Sequence, residues 1–95
     1  MAIGALSVMT NAGMDVPGEI SLAGFDNIEY SKYTHPPLTT FDQPKRAIGA
    51  EAASLLMDRI QLARNNDHPK PVTRTMRGKL LVRQSTAPIK NKEER

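Results

Sequence analysis

The chain has 95 residues, of which 39% are hydrophobic and 24% are charged, and its formal net charge is +3. This length allows at most one small domain, and the composition is globular rather than disordered. With two tyrosines, two phenylalanines and no tryptophan, an aromatic platform for single-stranded nucleic acid is not expected. The positive charge is not gathered in one motif, so it does not indicate a nucleic-acid interface.

The cysteine count and the two ends of the sequence limit the class of protein further. Cysteine is absent, which excludes a disulfide framework and a thiolate metal site and fits a reducing cytoplasm. The opening MAIGALSVMTNAGM lacks the basic region of a signal peptide, and no apolar run approaches the roughly 20 residues that cross a membrane. We therefore expect a cytoplasmic protein without a membrane partner. The last residues, 89–95, are expected to form a flexible tail.

The first predicted elements are a helix and a buried strand. Apolar residues recur at helical spacing over residues 2–12, and Gly13 supplies a left-handed stop. Residues 20–25 are apolar without strict alternation, which is typical of a strand covered on both faces in a parallel sheet. A helix, a short turn and such a strand form half of a β-α-β unit whose first strand is missing, and no N-cap residue precedes the helix.

The remaining predicted elements complete an α/β order. Residues 38–41 form a short extended run, and a last strand is predicted within residues 76–83. Residues 44–64 carry the strongest helical periodicity, with Asp42 or Gln43 expected as the N-cap. The resulting order, α-β-(β)-α-β, predicts an α/β fold.

Motifs of catalysis are missing from the sequence. There is no nucleophile elbow, phosphate loop or dinucleotide fingerprint, and the carboxylates are spread over different turns. His35 and His68 each lie in a loop beside proline, where exposure to solvent is a simpler interpretation than a ligand or a base. We expect no catalytic residue, no cofactor and no metal site. A small enzyme domain whose catalytic groups meet only in space is a disfavoured alternative.

Asp26 is a candidate binding residue, because it leaves the carboxyl end of the strand predicted at residues 20–25. Ligands of open parallel sheets bind outside the carboxyl ends of the strands. A carboxylate there can accept two hydrogen bonds from vicinal hydroxyl groups, which sugars and ribose present. The alternative is that Asp26 only caps the turn with its side chain.

The stretch DVPGEISLAGFDNIEYSKYTHPPLTTFDQPKRAIGAEAASLLMDRI, followed by LLVRQSTAP, resembles the C-terminal part of a transcriptional repressor of the lactose-repressor (LacI/GalR) family. The motifs VP, GFDN, PPLTT, QP and VRQSTAP follow in the family's order and spacing. The resemblance covers residues 1–88 and implies the C-terminal part of a periplasmic-binding-protein-like (type I) parallel-sheet domain that binds an effector and dimerises. The family's helix-turn-helix headpiece and the first half of its core do not appear in the sequence.

The same resemblance implies roles for four residues. Asp26 would touch the effector in the cleft between the two subdomains of the core. Gln43 would lie where the chain crosses between them, and in some members this residue reaches the effector; a helix cap or hinge packing is the alternative. Tyr30 and Tyr33 would lie in the homodimer interface, where aromatic residues are enriched. Their alternative is a loop position packed on their own domain.

The function implied by the resemblance is the ligand-sensing and dimerisation portion of a sugar- or nucleoside-responsive bacterial repressor. Its expected partners are a small-molecule effector, a second copy of the chain or a higher oligomer, and operator DNA only through the headpiece. The alternative is the C-terminal part of a sugar-binding transport protein with the same core. The motifs PPLTTFDQP and VRQSTAP favour the regulator.

Overall fold

The computed structural model describes residues 1–89 and confirms the predicted α/β order. Its elements are α1 (Ala2–Asn11), β1 (Ala23–Phe25), a 3-10 helix (Glu29–Lys32), β2 (Thr39–Asp42), α2 (Lys45–Arg64) and β3 (Lys79–Leu81). All of the tail expected at residues 89–95 except Ile89 lies outside the described residues. Neither α1 nor α2 combines the length and the hydropathy that a membrane-crossing helix needs.

The three strands form one mixed sheet in the order β1-β2-β3. β1 and β2 run parallel, with Phe25 opposite Phe41, and the rings of these two residues stack with their centroids 5.4 Å apart. β3 runs antiparallel to β2, with Leu80 opposite Phe41. Because β1 and β2 are parallel, the residues that follow them emerge at the same edge of the sheet.

α1 ends as the sequence predicts, and β1 is shorter than predicted. Gly13 has a φ of +78°, a left-handed conformation that glycine adopts without a steric penalty. Residues 21 and 22 do not extend β1, because they bond to residues 85 and 87 instead. The Leu22 N–H donates to the carbonyl of Ser85 at 2.9 Å, and the Ser21 hydroxyl donates to the carbonyl of Ala87 at 3.3 Å.

β1 is covered on one face rather than on both. The Gly24 face packs closely against Ala2 of α1 and against Leu38, whereas Ala23 is exposed and the Phe25 side chain is 64% exposed. The prediction of a strand covered on both faces is therefore wrong for the described residues, because what packs on β1 lies on the Gly24 side.

The described residues form two compact units. The first contains Met1–Gln43 and residues 79–89, and thus α1 and the whole sheet. The second, Pro44–Gly78, contains α2. None of the twenty residues of α2 is buried, so this helix relies on its own backbone hydrogen bonds and on surface contacts such as the ion pair of Arg74 with Glu51 at 3.5 Å.

The core of the first unit is small and mostly polar. Among residues 1–89, the buried hydrophobic side chains are Leu6 and Leu38. The buried polar side chains are more numerous, namely Ser31, Thr34, Thr39, Thr40 and Ser85. Within the described part of the chain, no buried side-chain nitrogen or oxygen lacks a hydrogen-bond partner. Because buried polar groups are tolerated only when they are paired, this unit depends on its hydrogen-bond network.

Candidate functional site

Asp26 and Asn27 form a sharp corner at the carboxyl end of β1. Their φ angles are +85° and +46°, in the left-handed region where aspartate and asparagine occur more often than most other residues with a side chain. The Asp26 N–H donates to the carbonyl of Phe41 at 3.0 Å, and the Asn27 N–H donates to Oγ1 of Thr40 at 3.1 Å. Two consecutive N–H groups of the corner thus bond to β2.

Asp26 and Gln43, the two residues predicted to meet an effector, lie side by side. Nε2 of Gln43 donates a hydrogen bond to Oδ1 of Asp26. The topology explains the contact, because Asp26 directly follows β1 and Gln43 directly follows the parallel strand β2. Both side chains are half-buried. The arrangement presents a carboxylate acceptor beside an amide that has both a donor and an acceptor.

The predicted cap of α2 is not found. The N-cap residue is Pro44, and no side chain donates or accepts a capping hydrogen bond there. Asp42 and Gln43 do not serve as the cap because each bonds to the corner instead, Asp42 to Asn27 at 3.2 Å and Gln43 to Asp26. The helix-cap alternative for Gln43 is therefore excluded.

Asn27 and Arg83 belong to the same region, and neither is among the residues predicted as site residues. Oδ1 of Asn27 accepts a hydrogen bond from Nη2 of Arg83 at 2.8 Å. Nη1 of Arg83 donates to Oγ of Ser31 at 2.9 Å and to the carbonyl of Leu38 at 3.0 Å. The sequence carried signals for both residues, because Asn27 ends the GFDN motif and Arg83 stands in the VRQSTAP motif at the end of the last predicted strand.

A cavity of about 690 Å³ lies against the corner, within the range of small-molecule sites. Asp26 contributes the carboxylate among its lining residues, and the other walls come from α1, β1, the loop after β1 and β2. Most of these walls are apolar, including Ala2, Phe25 and Leu38. An apolar cavity with a single carboxylate suits a ligand with an apolar face and a few hydroxyl groups.

Tyr30 and Tyr33 lie away from this cavity on the 3-10 helix and its end. Their side chains are 63% and 70% exposed, and the neighbouring Ile28 is 51% exposed. Neither tyrosine lines the cavity beside Asp26. His35 and His68, the two histidines, are exposed as expected. Among residues 1–89 no cluster of metal-ligating side chains is found.

Residues 1–86 match the periplasmic binding protein-like domain family. The chain belongs to this family. Among curated relatives, the transcriptional repressor CytR of Escherichia coli K12 is 43% identical over 86 residues, which are 90% of this chain and 24% of CytR. The repressor PurR of Aliivibrio fischeri MJ11 is 46% identical over 72 residues, 76% of this chain and 20% of PurR. The chain thus spans less than a quarter of the length of these relatives.

Solved structures of regulators share the fold. A putative LacI regulator of Bacillus cereus subsp. cytotoxis superposes with a TM-score of 0.82 at 31% identity, over 93% of this chain and 30% of the regulator. A LacI-family regulator of Enterococcus faecalis V583, solved with bound ribose, gives 0.73 at 34% identity, over 92% and 31%. The lac repressor dimer bound to operator gives 0.71 at 30% identity, over 92% and 29%.

These relatives confirm the resemblance to LacI/GalR-type regulators, and they confirm that the fold is periplasmic-binding-protein-like. They go against the transport-protein alternative, because CytR and PurR are transcriptional repressors.

Proposed function

We propose that this chain is the ligand-sensing and dimerisation portion of a bacterial transcriptional repressor that responds to a sugar or a nucleoside. One observation carries the proposal. The Asp26 carboxylate and the Gln43 amide, which follow two parallel strands, meet beside a cavity of about 690 Å³. Membership in a family whose curated relatives are repressors supports binding rather than catalysis as the function.

The chemistry of the pair favours a polyhydroxylated ligand. Gln43 occupies Oδ1 of Asp26, so Oδ2 remains able to accept a hydrogen bond from a ligand hydroxyl. A vicinal diol offers a second hydroxyl, which we propose pairs with the Gln43 amide; this amide contacts Asp26 from outside the residues that line the cavity. The Enterococcus faecalis regulator was solved with bound ribose, and the same hydroxyl pattern occurs in the sugar of a nucleoside.

Regulation would follow from linkage between effector and operator. An effector changes operator affinity only as far as it prefers one conformation of the regulator over the other. Gln43 is the last residue of the first unit before the chain enters the second at Pro44. A ligand that moves the Gln43 side chain therefore acts on the peptide connection between Gln43 and Pro44.

The exposed tyrosines support a homodimer. Tyr30 and Tyr33 present aromatic surface to solvent, and such surface is enriched in interfaces between protein copies. The structurally similar lac repressor was solved as a dimer bound to operator. We propose that this chain contributes to a homodimer or higher oligomer in the cytoplasm, and that operator DNA is contacted by a headpiece outside these residues.

The test is ligand binding by the full-length product of the gene that encodes these residues. D-ribose, adenosine and cytidine serve as probes in isothermal titration calorimetry. Asp26→Asn keeps the size of the side chain and removes its charge, and we expect it to weaken binding at least about tenfold, since hydrogen bonds to charged groups contribute roughly 1.5–3 kcal/mol. Asp58→Asn, at an exposed position on α2, is the matched control.

The parent protein is expected to bind at least one probe and to release it chemically unchanged. Absence of binding to all three probes, or equal binding by the parent and Asp26→Asn, would overturn the proposed site. Turnover of a probe that disappears in Asp26→Asn would overturn the interpretation as a binding protein.

A further inference from the structure

The corner after β1 adopts an unfavourable backbone conformation and must be held in place. Asp26 and Asn27 are consecutive and both have positive φ, +85° and +46°. Aspartate and asparagine tolerate this region better than most residues, but two consecutive positive φ angles still cost free energy that the surrounding contacts must offset. The side chain of Asn27 bonds to two distant residues, Asp42 and Arg83, and to the nearby Ser31.

The Asn27 amide can adopt only one orientation. Its oxygen accepts from Nη2 of Arg83 at 2.8 Å, and its nitrogen donates to Oδ1 of Asp42 at 3.2 Å. A guanidinium group can only donate and a carboxylate can only accept. Rotation of the amide by half a turn would place its NH₂ against Arg83 and its oxygen against Asp42, so the two opposite charges exclude the alternative.

Arg83 is held by a set of acceptors that suits arginine in particular. In addition to Asn27, its guanidinium donates to Oγ of Ser31 and to the carbonyl of Leu38, at 2.9 and 3.0 Å. Ser31 is 1% exposed and Leu38 is 3% exposed, so these acceptors are fixed. The planar guanidinium reaches three acceptors with two nitrogens, whereas the single ammonium nitrogen of lysine cannot span them.

We infer that Arg83 is a positioning residue for effector recognition. It fixes the Asn27 amide, and Asn27 in turn fixes the backbone from which the Asp26 carboxylate reaches Gln43 and the cavity. Asp26 and Asn27 share a peptide bond. If Asn27 loses its fixed position, that peptide plane can rotate, and the direction of the Asp26 carboxylate changes with it. The inference rests on the proposed role of Asp26 in binding the effector.

The first test is geometric and needs no ligand. Crystal structures of the full-length gene product are compared for the parent, Arg83→Lys and the control Arg77→Lys, whose arginine is exposed. We expect Arg83→Lys to release the Asn27 amide from Asp42 and to change φ at Asp26 or Asn27, and the control to change neither. An unaltered corner in Arg83→Lys overturns the inference.

The second test measures binding of D-ribose, adenosine and cytidine by calorimetry in a double-mutant cycle. Arg83→Lys is expected to raise the dissociation constant roughly tenfold, and Asn27→Ala to do the same. In the Asn27→Ala background, Arg83→Lys should have almost no further effect, because both changes remove the same constraint. Independent losses that multiply in the double variant, or a dissociation constant that Arg83→Lys does not change, overturn the inference.

The two proposals fail in different ways. If Asp26→Asn binds the probes as the parent does, the proposed function fails, while the crystal structures still decide whether Arg83 holds the corner. If Arg83→Lys does not fold, Asn27→Ala alone replaces it. Weaker binding by Asn27→Ala with a melting temperature close to that of the parent supports the positioning role, and unchanged binding refutes it.

Discussion

The side-chain amide of Gln43 donates a hydrogen bond to the carboxylate of Asp26, although 17 positions separate the two residues. The contact is a consequence of strand register, because Phe25 lies opposite Phe41 in the parallel pair. Asp26 is one residue beyond this aligned pair and Gln43 is two residues beyond it. A slip of one residue would send the Gln43 side chain to the other face of the sheet.

The charge of this pair can be tested by Gln43→Glu. The substitution removes the amide donor and places a second carboxylate against Asp26, so repulsion adds to the lost hydrogen bond. We expect affinity for D-ribose or a nucleoside to fall by a factor on the order of tenfold or more. Gln43→Ala removes the same hydrogen bond and the proposed contact of the amide with the ligand but adds no charge, so we expect a smaller loss of affinity. Calorimetry that ranks Gln43→Ala as the weaker binder would contradict this account of the pair.

The proposed dimer surface is tested by Tyr30→Ser combined with Tyr33→Ser. Both side chains are more than half exposed in the single chain, so their removal should leave the fold intact and weaken only association. We expect the dimer dissociation constant of the full-length product to rise at least about tenfold, as for aromatic hot spots. Sedimentation velocity measures it, and Val72→Ser, at an apolar residue that is 48% exposed, is the control. An unchanged dimer places the interface elsewhere.

Local sequence signals were sufficient for much of the fold. The apolar face of α1 and the left-handed stop at Gly13 follow from spacing and from the properties of glycine. The length of β1 could not be predicted in this way, because Leu22 bonds to Ser85. Partners more than sixty residues apart leave no trace in the local pattern of apolar and polar residues.

The candidate site was likewise predictable only where local sequence signals or the family resemblance applied. Asp26 could be proposed from its place after a predicted strand, whereas the role of Gln43 came from the resemblance to a known family. The role of Arg83 could be proposed from neither, because its acceptors at Asn27, Ser31 and Leu38 belong to the loop between β1 and β2, far from it in sequence. The orientation of the Asn27 amide is determined by the charges of Arg83 and Asp42, which also lie far from it in sequence.

Two glycines should respond to alanine in opposite directions. Gly49 lies inside α2, and a Cβ atom there would meet no other atom within 4 Å. Gly49→Ala should therefore stabilise the 95-residue chain by up to about 1 kcal/mol, the difference in helix propensity. Urea denaturation followed by circular dichroism measures the change. Destabilisation would show that another part of the protein approaches the backbone at Gly49.

Gly24→Ala is the counterpart in β1. A Cβ atom there would lie 3.0 Å from Cδ2 of Leu38 and 3.1 Å from Cβ of Ala2. Leu38 is buried, so it cannot move away freely, and we expect a loss of about 1–3 kcal/mol from overpacking. Because Gly24 also lines the cavity, ligand affinity should fall with stability. If Gly24→Ala left the stability unchanged, α1 and the loop that carries Leu38 would have to move more easily than their close packing on Gly24 indicates.

Ser85 and Ser21 both connect residues 21–22 with residues 85–87. Substituting each in turn separates the effect of burial from the effect of the number of hydrogen bonds. Ser85 is fully buried, and its hydroxyl donates to the carbonyl of Leu22 and accepts from the N–H of Thr39 at 2.8 Å. Ser21 is exposed and also makes two hydrogen bonds, both with the backbone of Ala87. Ser85→Ala leaves a buried N–H and a carbonyl without that partner, whereas water can replace the Ser21 hydroxyl.

We expect Ser85→Ala to lower the free energy of unfolding by about 1–3 kcal/mol and Ser21→Ala by less than about 0.5 kcal/mol. Both changes are measured by urea denaturation of the 95-residue chain, with one common dependence of the free energy of unfolding on urea concentration. Equal losses would mean that the number of hydrogen bonds, and not their burial, determines how residues 85–87 are held against residues 21–22 and β2. A larger loss at Ser85 alone supports a unit whose stability rests on buried polar contacts, since Leu6 and Leu38 are its buried hydrophobic side chains among residues 1–89.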